Sequence, residues 1–138
     1  MSVPVFFDTN VLIYSISIDP TEAEKRQRAT ELLRRDDGAL SIQVLQEFYT
    51  QATRPTRAHR LSHEIAADLI RAWTRFPVQE MTLTLFARAL EIKKTHRFSY
   101  WDSAIIAAAR ALGCCELYTE DMSHGRQVEG VTIVNPFR

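Results

Sequence analysis

The sequence predicts an α/β domain built on a mostly parallel sheet. Short apolar runs without polar alternation recur along it, as strands buried on both faces do. Segments with helical spacing separate those runs, the pattern of β-α-β architecture. The size agrees: 138 residues, 46% apolar and 25% charged, suit one compact globular domain. No repeat, low-complexity stretch or linker divides residues 1–138, so a single domain is expected.

Residues 3–7 are apolar and β-rich and end abruptly at Asp8, which makes them the first strand. Residues 11–14 open a helix. Pro20-Thr21 offers a cap for a charged helix over 22–35, with Ala29, Leu32 and Leu33 facing inward. Asp36-Asp37-Gly38 is a turn. A very short strand over 39–42 feeds a helix from 43 to about 54, which Pro55 stops. Residues 54–60 are a basic loop. Ser62 caps a helix with Ile65, Leu69, Trp73 and Phe76 at helical spacing. Residues 78–81 are a short strand, and Thr82 caps a helix whose inner face is Phe86, Ala89 and Leu90. Ser99 opens an apolar helix through Leu112, with Gly113 as its C-cap. Residues 116–119 are a strand, 120–130 a loop and 131–134 the last strand.

Lys plus Arg and Asp plus Glu each number 17, so the formal net charge is zero. That excludes a histone-like basic binder of nucleic acid and a disordered acidic tail. No run of about 18 apolar residues offers a transmembrane helix. The opening Met1-Ser2-Val3-Pro4 lacks the basic region of a secretion signal. The two cysteines, Cys114 and Cys115, are adjacent and form no C-x-x-C pair, which suits reduced cytosolic thiols.

Ligands of open α/β sheets bind outside the carboxyl ends of the strands. Asp8 follows the first strand directly, and Glu120 and Asp121 follow the strand ending at Thr119. Asp102 falls in the first turn of the apolar helix. Two like charges repel by about 1 kcal/mol at 4 Å in water, and by about 4 kcal/mol at an effective dielectric of 20. A divalent cation offsets that repulsion, and oxygen-only ligands select Mg²⁺ or Mn²⁺. Each acid also has a plain structural reading. Asp8 suits a helix N-cap, and Asp121 a turn before Ser123-His124-Gly125. Ser99 and Asp102 match a capping box. Glu47 lies opposite the apolar face of Ile42, Leu45, Phe48, Tyr49 and Ala52, so the helical wheel turns it to solvent. Other motifs are absent: Ala67 stands where a zinc-protease helix needs its second histidine, and no phosphate loop, nucleophile elbow or dinucleotide fingerprint occurs.

Four segments nevertheless resemble, in order and spacing, the acidic motifs of PIN-domain proteins. They are Phe6-Phe7-Asp8-Thr9-Asn10-Val11-Leu12-Ile13-Tyr14; Leu40-Ser41-Ile42 through Glu47-Phe48; Ser99-Tyr100-Trp101-Asp102-Ser103-Ala104; and Leu117-Tyr118-Thr119-Glu120-Asp121-Met122 with Gly125. Within that family the chain resembles the toxin ribonucleases of bacterial VapBC toxin–antitoxin modules. The resemblance implies a central parallel sheet of about five short strands flanked by helices. It implies cleavage of single-stranded RNA that depends on Mg²⁺, for which Mn²⁺ substitutes. Carried onto this chain, it makes Asp8, Glu47, Asp102 and Asp121 the acidic set, with Asp8 and Asp102 the main metal ligands and Glu120 the rival for the fourth place. Against the helical wheel, it moves Glu47 from solvent to the site. Thr9, Asn10 and Ser103 match polar positions beside them, suited to contact water on the ion or phosphate. RNA also needs cations near the pocket; Arg54, Arg57 and Arg60 in the Pro55 loop, and Lys93, Lys94 and Arg97 before the third motif, are candidates, although solvated surface charges read the same way. Partners implied are RNA, an antitoxin protein and a second copy of the chain, in the cytoplasm and away from membranes. The alternative class is a non-catalytic PIN-like scaffold that only binds RNA or a partner. A phosphatase-type site is disfavoured because Asn10 stands where its second aspartate belongs.

Overall fold

The computed structural model describes residues 3–138; Met1 and Ser2, in the segment read as lacking a secretion signal, lie outside the described residues. Strands and helices alternate in the order β1 (Val5–Phe7), α1 (Thr9–Ser15), a 3-10 turn (Pro20–Glu22), α2 (Ala23–Leu33), β2 (Gly38–Ser41), α3 (Ile42–Ala52), α4 (His63–Trp73), β3 (Val78–Gln79), α5 (Leu83–His96), α6 (Tyr100–Ala111), β4 (Glu116–Tyr118), β5 (Gln127–Val128) and β6 (Val131–Val134). They form a six-stranded sheet in the order β3-β2-β1-β4-β6-β5. The pairings of β3 with β2, β2 with β1, β1 with β4 and β4 with β6 are parallel; β5 alone runs antiparallel, against β6. The expected parallel sheet is therefore present, with one short strand added.

That strand arises where a loop was expected. Val128 pairs with Val131 across Glu129-Gly130, both of which take positive φ, 53° and 84°. Two left-handed residues make the tight hairpin that matches strand twist. A Glu-Gly pair lacks the Asn-Gly or Asp-Gly signal that usually announces one.

Val5, Phe6 and Phe7 are all buried. Successive side chains of a strand point to opposite faces, so burial of all three means that helices cover both faces of the sheet. β1 is central. Phe7 meets Phe76 edge-to-face at 6.0 Å and Tyr118 at 6.0 Å. Gly38 opens β2 under these rings: a Cβ there would sit 2.6 Å from Phe7 Cε2 and 2.8 Å from Phe76 Cε1. The apolar helix α6 runs through the core with Ala104–Ala109 buried. Ser62, Thr82 and Ser99 cap α4, α5 and α6 as expected. Asp19, not Thr21, caps the turn before α2, its Oδ1 accepting from Thr21 N at 2.9 Å.

Three helices depart in part from the expected faces, although Leu45, Phe48 and Ala52 of α3 and Trp73 of α4 are buried as expected. In α5 the core residues are Leu85, Ala89 and Ile92, whereas Phe86 and Leu90 are 41% and 46% exposed. The helix is apolar on two adjacent stripes, and Ala89 belongs to both, so periodicity alone did not choose between them. In α4, Ala66 and Trp73 are buried and Ile65 is exposed; Phe76 is buried beyond the helix end. In α3, Ile42 is exposed and Gln43 is buried. Among the described residues no helix is long and apolar enough to cross a membrane. Cys114 and Cys115 are free, the first buried and the second exposed.

Gly38→Ala should destabilise the fold by about 1–3 kcal/mol, because two aromatic rings must move to admit one methyl group. Urea unfolding measures this, with an unchanged m-value expected.

Candidate functional site

From the central β1, the chain passes to β2 on one side and later to β4 on the other. Such a reversal opens a crevice at the carboxyl ends of the two strands, where ligands of α/β sheets bind. Phe7 pairs with Tyr118, so Asp8 and Thr119 leave the sheet side by side, and Asp8 N donates to Tyr118 O at 3.0 Å. Asp8 both caps α1 and enters the crevice. Its Oδ1 accepts from Thr9 N at 2.7 Å and its Oδ2 from Thr119 Oγ1 at 2.8 Å. Each oxygen keeps a second lone pair.

Thr119 also accepts from Asn10 Nδ2 at 3.3 Å and from Asp121 N at 3.2 Å. Asn10 Nδ2 reaches Asp121 Oδ2 at 3.1 Å, and Asn10 Oδ1 accepts from Glu120 N at 3.3 Å. Glu47 is half-buried rather than solvated. It accepts from Thr9 Oγ1 at 2.7 Å and from Gln43 Nε2 at 3.0 Å, and Gln43 Nε2 also reaches Trp101 O at 3.2 Å. Asp102 lies in the first turn of α6, its backbone N–H bonded to Ser99 Oγ at 3.1 Å. The capping role and the place at the crevice coexist.

Asp8, Thr9, Asn10, Glu47, Asp102 and Asp121 all line one cleft of about 300 Å³. Glu120 reaches the same cleft but is otherwise engaged: Lys25 Nζ lies 2.6 Å from its Oε2, and Tyr14 OH donates to its Oε1 at 2.5 Å. Partial burial works to raise the Glu120 pKa, but those two bonds outweigh it and hold it below the usual value. Asp121 has no such cation and acts on Asp8 and Asp102 instead. Ser103 does not reach the cleft; it is fully buried and donates to Ser99 O at 2.8 Å. Arg54, Arg60, Lys93, Lys94 and Arg97 are exposed, and none lines the cleft. Arg57 lines a neighbouring pocket of about 450 Å³ that shares Glu22 with it. Thr119, Gln43, Lys25 and Tyr14 were not singled out in the sequence; the Thr119–Asp8, Gln43–Trp101 and Lys25–Glu120 contacts span distant segments and leave no local pattern, whereas Gln43 and Glu47 stand four apart on one helix, a spacing that could have paired them.

The electrostatics are unfavourable by design of position. Asp8 is 7% exposed. Burial raises its pKa from 3.8 to about 6, with Glu47 and Asp121 adding to the rise and the Thr119 and Thr9 bonds opposing it. Burial likewise raises Asp102, helped by Asp121 and Glu47. Among the described residues no lysine or arginine lines this cleft. Nor do any three carboxylate, imidazole or thiol groups converge closely enough to ligate one ion. Mg²⁺ commonly keeps several waters and binds through one or two carboxylates. The oxygen-only donor set fits that kind of ion.

A carboxylate with a raised folded pKa favours the native state below its unfolded value, and that contribution is lost as pH rises through the folded value. For Asp8 the window runs from pH 3.8 to about 6. Without divalent cation, the difference in unfolding free energy between the wild type and Asp8→Asn should therefore shift against the wild type across it, by on the order of 3 kcal/mol. Chemical denaturation at stepped pH reads that difference.

Comparison with known proteins agrees with this geometry. The model of the PIN domain family matches residues 5–126. No curated protein matches the chain. Among solved structures, it is similar to a toxin–antitoxin complex from Klebsiella pneumoniae, at 19% identity and TM-score 0.69 over 96% of this chain and 97% of that one. It is also similar to Mycobacterium tuberculosis VapC20, described as a toxin cleaving the sarcin-ricin loop, at 22% identity and TM-score 0.66 over 85% and 91%. VapBC2 from Rickettsia felis, bound to a DNA fragment from its promoter, matches at 16% identity and TM-score 0.64 over 94% and 96%. At these identities the solved structures establish the fold, and the family match covers most of the chain: this protein belongs to the PIN-domain family.

Proposed function

We propose that the protein is a ribonuclease that cleaves phosphodiester bonds of single-stranded RNA with Mg²⁺ or Mn²⁺, as the toxin of a toxin–antitoxin pair. One observation carries this: Asp8, Glu47, Asp102 and Asp121 line one cleft at the sheet's switch point and, among the described residues, no lysine or arginine lines it with them. Solved neighbours that are toxin–antitoxin complexes, and one described as cleaving the sarcin-ricin loop, support the toxin reading.

Asp8 and Asp102 would hold the ion, with Asp121 and Glu47 lining the same cleft. A divalent ion there supplies an activated water at neutral pH and offsets charge developing on the scissile phosphate. The protein's part is orientation. Thr9 N and Thr119 Oγ1 fix the Asp8 carboxylate from both ends. Thr9 Oγ1 and Gln43 fix Glu47, and Asn10 ties Asp121 to Thr119. The exposed Arg54, Arg60, Lys93, Lys94 and Arg97, with the half-buried Arg57, would attract the strand from outside the cleft, where salt screens them. An antitoxin segment covering the acidic edge, a homodimer and a cytoplasmic setting complete the reading. The lack of three converging ligands favours a second reading, a PIN-like scaffold that binds RNA or a partner without cleaving it. Calorimetric titration separates the two: no Mn²⁺ uptake selects the scaffold.

With Mg²⁺ present, Asp8→Asn and Asp102→Asn should each lower RNA cleavage by at least about a hundredfold while the circular dichroism spectrum is retained. Asp121→Asn should impair cleavage much more than Glu120→Gln; the reverse ranking would move the fourth acid to Glu120. Thr119→Val, which removes an orienting bond rather than a ligand, should cost roughly 10- to 100-fold in metal affinity or rate.

A further inference from the structure

Trp101 is 64% exposed although it stands beside the core helix segment of α6. It lines the acidic cleft, next in sequence to Asp102. Its position is held from two sides. The Trp101 carbonyl accepts from Gln43 Nε2 at 3.2 Å, tying the first turn of α6 to α3. Its ring meets Tyr100 edge-to-face at 5.0 Å and 75°, and Tyr100 meets Phe86 at 5.7 Å and 69°. An indole is thus left open on the wall of a cleft otherwise lined mostly by acids and amides.

A polyanion entering this cleft finds, among the described residues, no lysine or arginine on its walls. Attraction at the cleft itself must then come from an ion or from a contact that does not depend on charge. The π-face of a nucleobase on an aromatic ring is such a contact. Each stack is worth roughly ten- to a hundredfold in affinity, and every base can make one. It also requires the base to be free, because bases inside a duplex already stack on both sides.

We propose that Trp101 is the stacking platform for an unpaired base of the RNA strand beside the scissile phosphodiester, and so a residue that selects single-stranded substrate. This rests on the ribonuclease reading above. The rival occupant is a second copy of the chain, reaching Trp101 from the exposed Leu83, Phe86 and Leu90 of α5. The base is favoured because Trp101 forms a wall of the cleft itself, and a protein lying on it would close the carboxylates off from substrate.

The test uses the full chain carrying Asp8→Asn, to prevent turnover, titrated with a short single-stranded oligoadenylate. The other tryptophan, Trp73, is buried, so quenching of emission reports Trp101. Quenching by the single strand and not by duplex RNA is expected. Added Trp101→Leu should weaken binding roughly ten- to a hundredfold, and Trp101→Phe should restore most of it. Unchanged affinity in Trp101→Leu, or no quenching, overturns the proposal. If Trp101→Leu converts a dimer to a monomer in sedimentation with RNA affinity unmoved, the surface belongs to the second copy and the proposal also fails. Wild-type cleavage with Mg²⁺ is measured separately. Cleavage with affinity indifferent to Trp101 sinks only the platform; no cleavage, with the quench and the affinity loss intact, sinks only the ribonuclease reading and leaves Trp101 as a base-binding residue.

Discussion

Asp8 and Thr119 stand at one edge of the sheet because β1 and β4 are parallel and in register, with Phe7 beside Tyr118. A one-residue slip would exchange the two faces of the strand. Val5, Phe6, Phe7 and Leu117 are all buried, so a slip would force each side chain into packing shaped for another. The contacts that join Asp8 to Thr119 and Asp121 lean on that register. The Thr119 hydroxyl reaches Asp8 only from this step of the ladder, and Asp121 follows two residues later on the same turn. The apolar core thereby places polar chemistry it never touches.

What it places is unfavourable on its own. A carboxylate buried beside two others is destabilising, and among the described residues no lysine or arginine in the cleft relieves it. The cations of this region serve elsewhere: Lys25 holds Glu120, and Arg35 grips Asp37 at 2.8 Å, just before β2. A net charge of zero therefore conceals an uneven distribution. Acids face inward at one edge of the sheet, while many arginines and lysines stand on outer surfaces. The unfavourable charge is confined to this edge, the kind of placement found where a fold gives up stability for a functional site.

Much of this was legible from the chain. Short unalternating strands, serine and threonine caps and the abrupt end of β1 at Asp8 are local signals, and the structure reproduces them. Glu47 was not legible from periodicity. A wheel sorts residues by hydrophobicity, and a polar residue facing a polar cleft looks the same as one facing water; only the motif resemblance moved it. The α5 face failed for another reason, because two adjacent apolar stripes compete there and tertiary packing chose Leu85 and Ile92. The Lys25–Glu120 pair and the Gln43–Trp101 bond join segments far apart in sequence, and no local pattern encodes them.

The hydroxyl of Thr119 has one hydrogen to give. Asn10 Nδ2 and Asp121 N both point their hydrogens at its oxygen, so that hydrogen is committed to Asp8 Oδ2. The chain of bonds consequently has a polarity, running from a backbone amide and a side-chain amide through the hydroxyl to the carboxylate, where it terminates. The same polarity sets which way round Asn10 sits, since its other end must accept from Glu120 N. A residue at position 8 must therefore accept on both sides at once, because Thr9 N donates to one oxygen while Thr119 Oγ1 donates to the other. A carboxylate does so with two oxygens, whereas an amide of the same shape can accept on one side only and turns a donor to the other, so the scaffold itself distinguishes the two side chains.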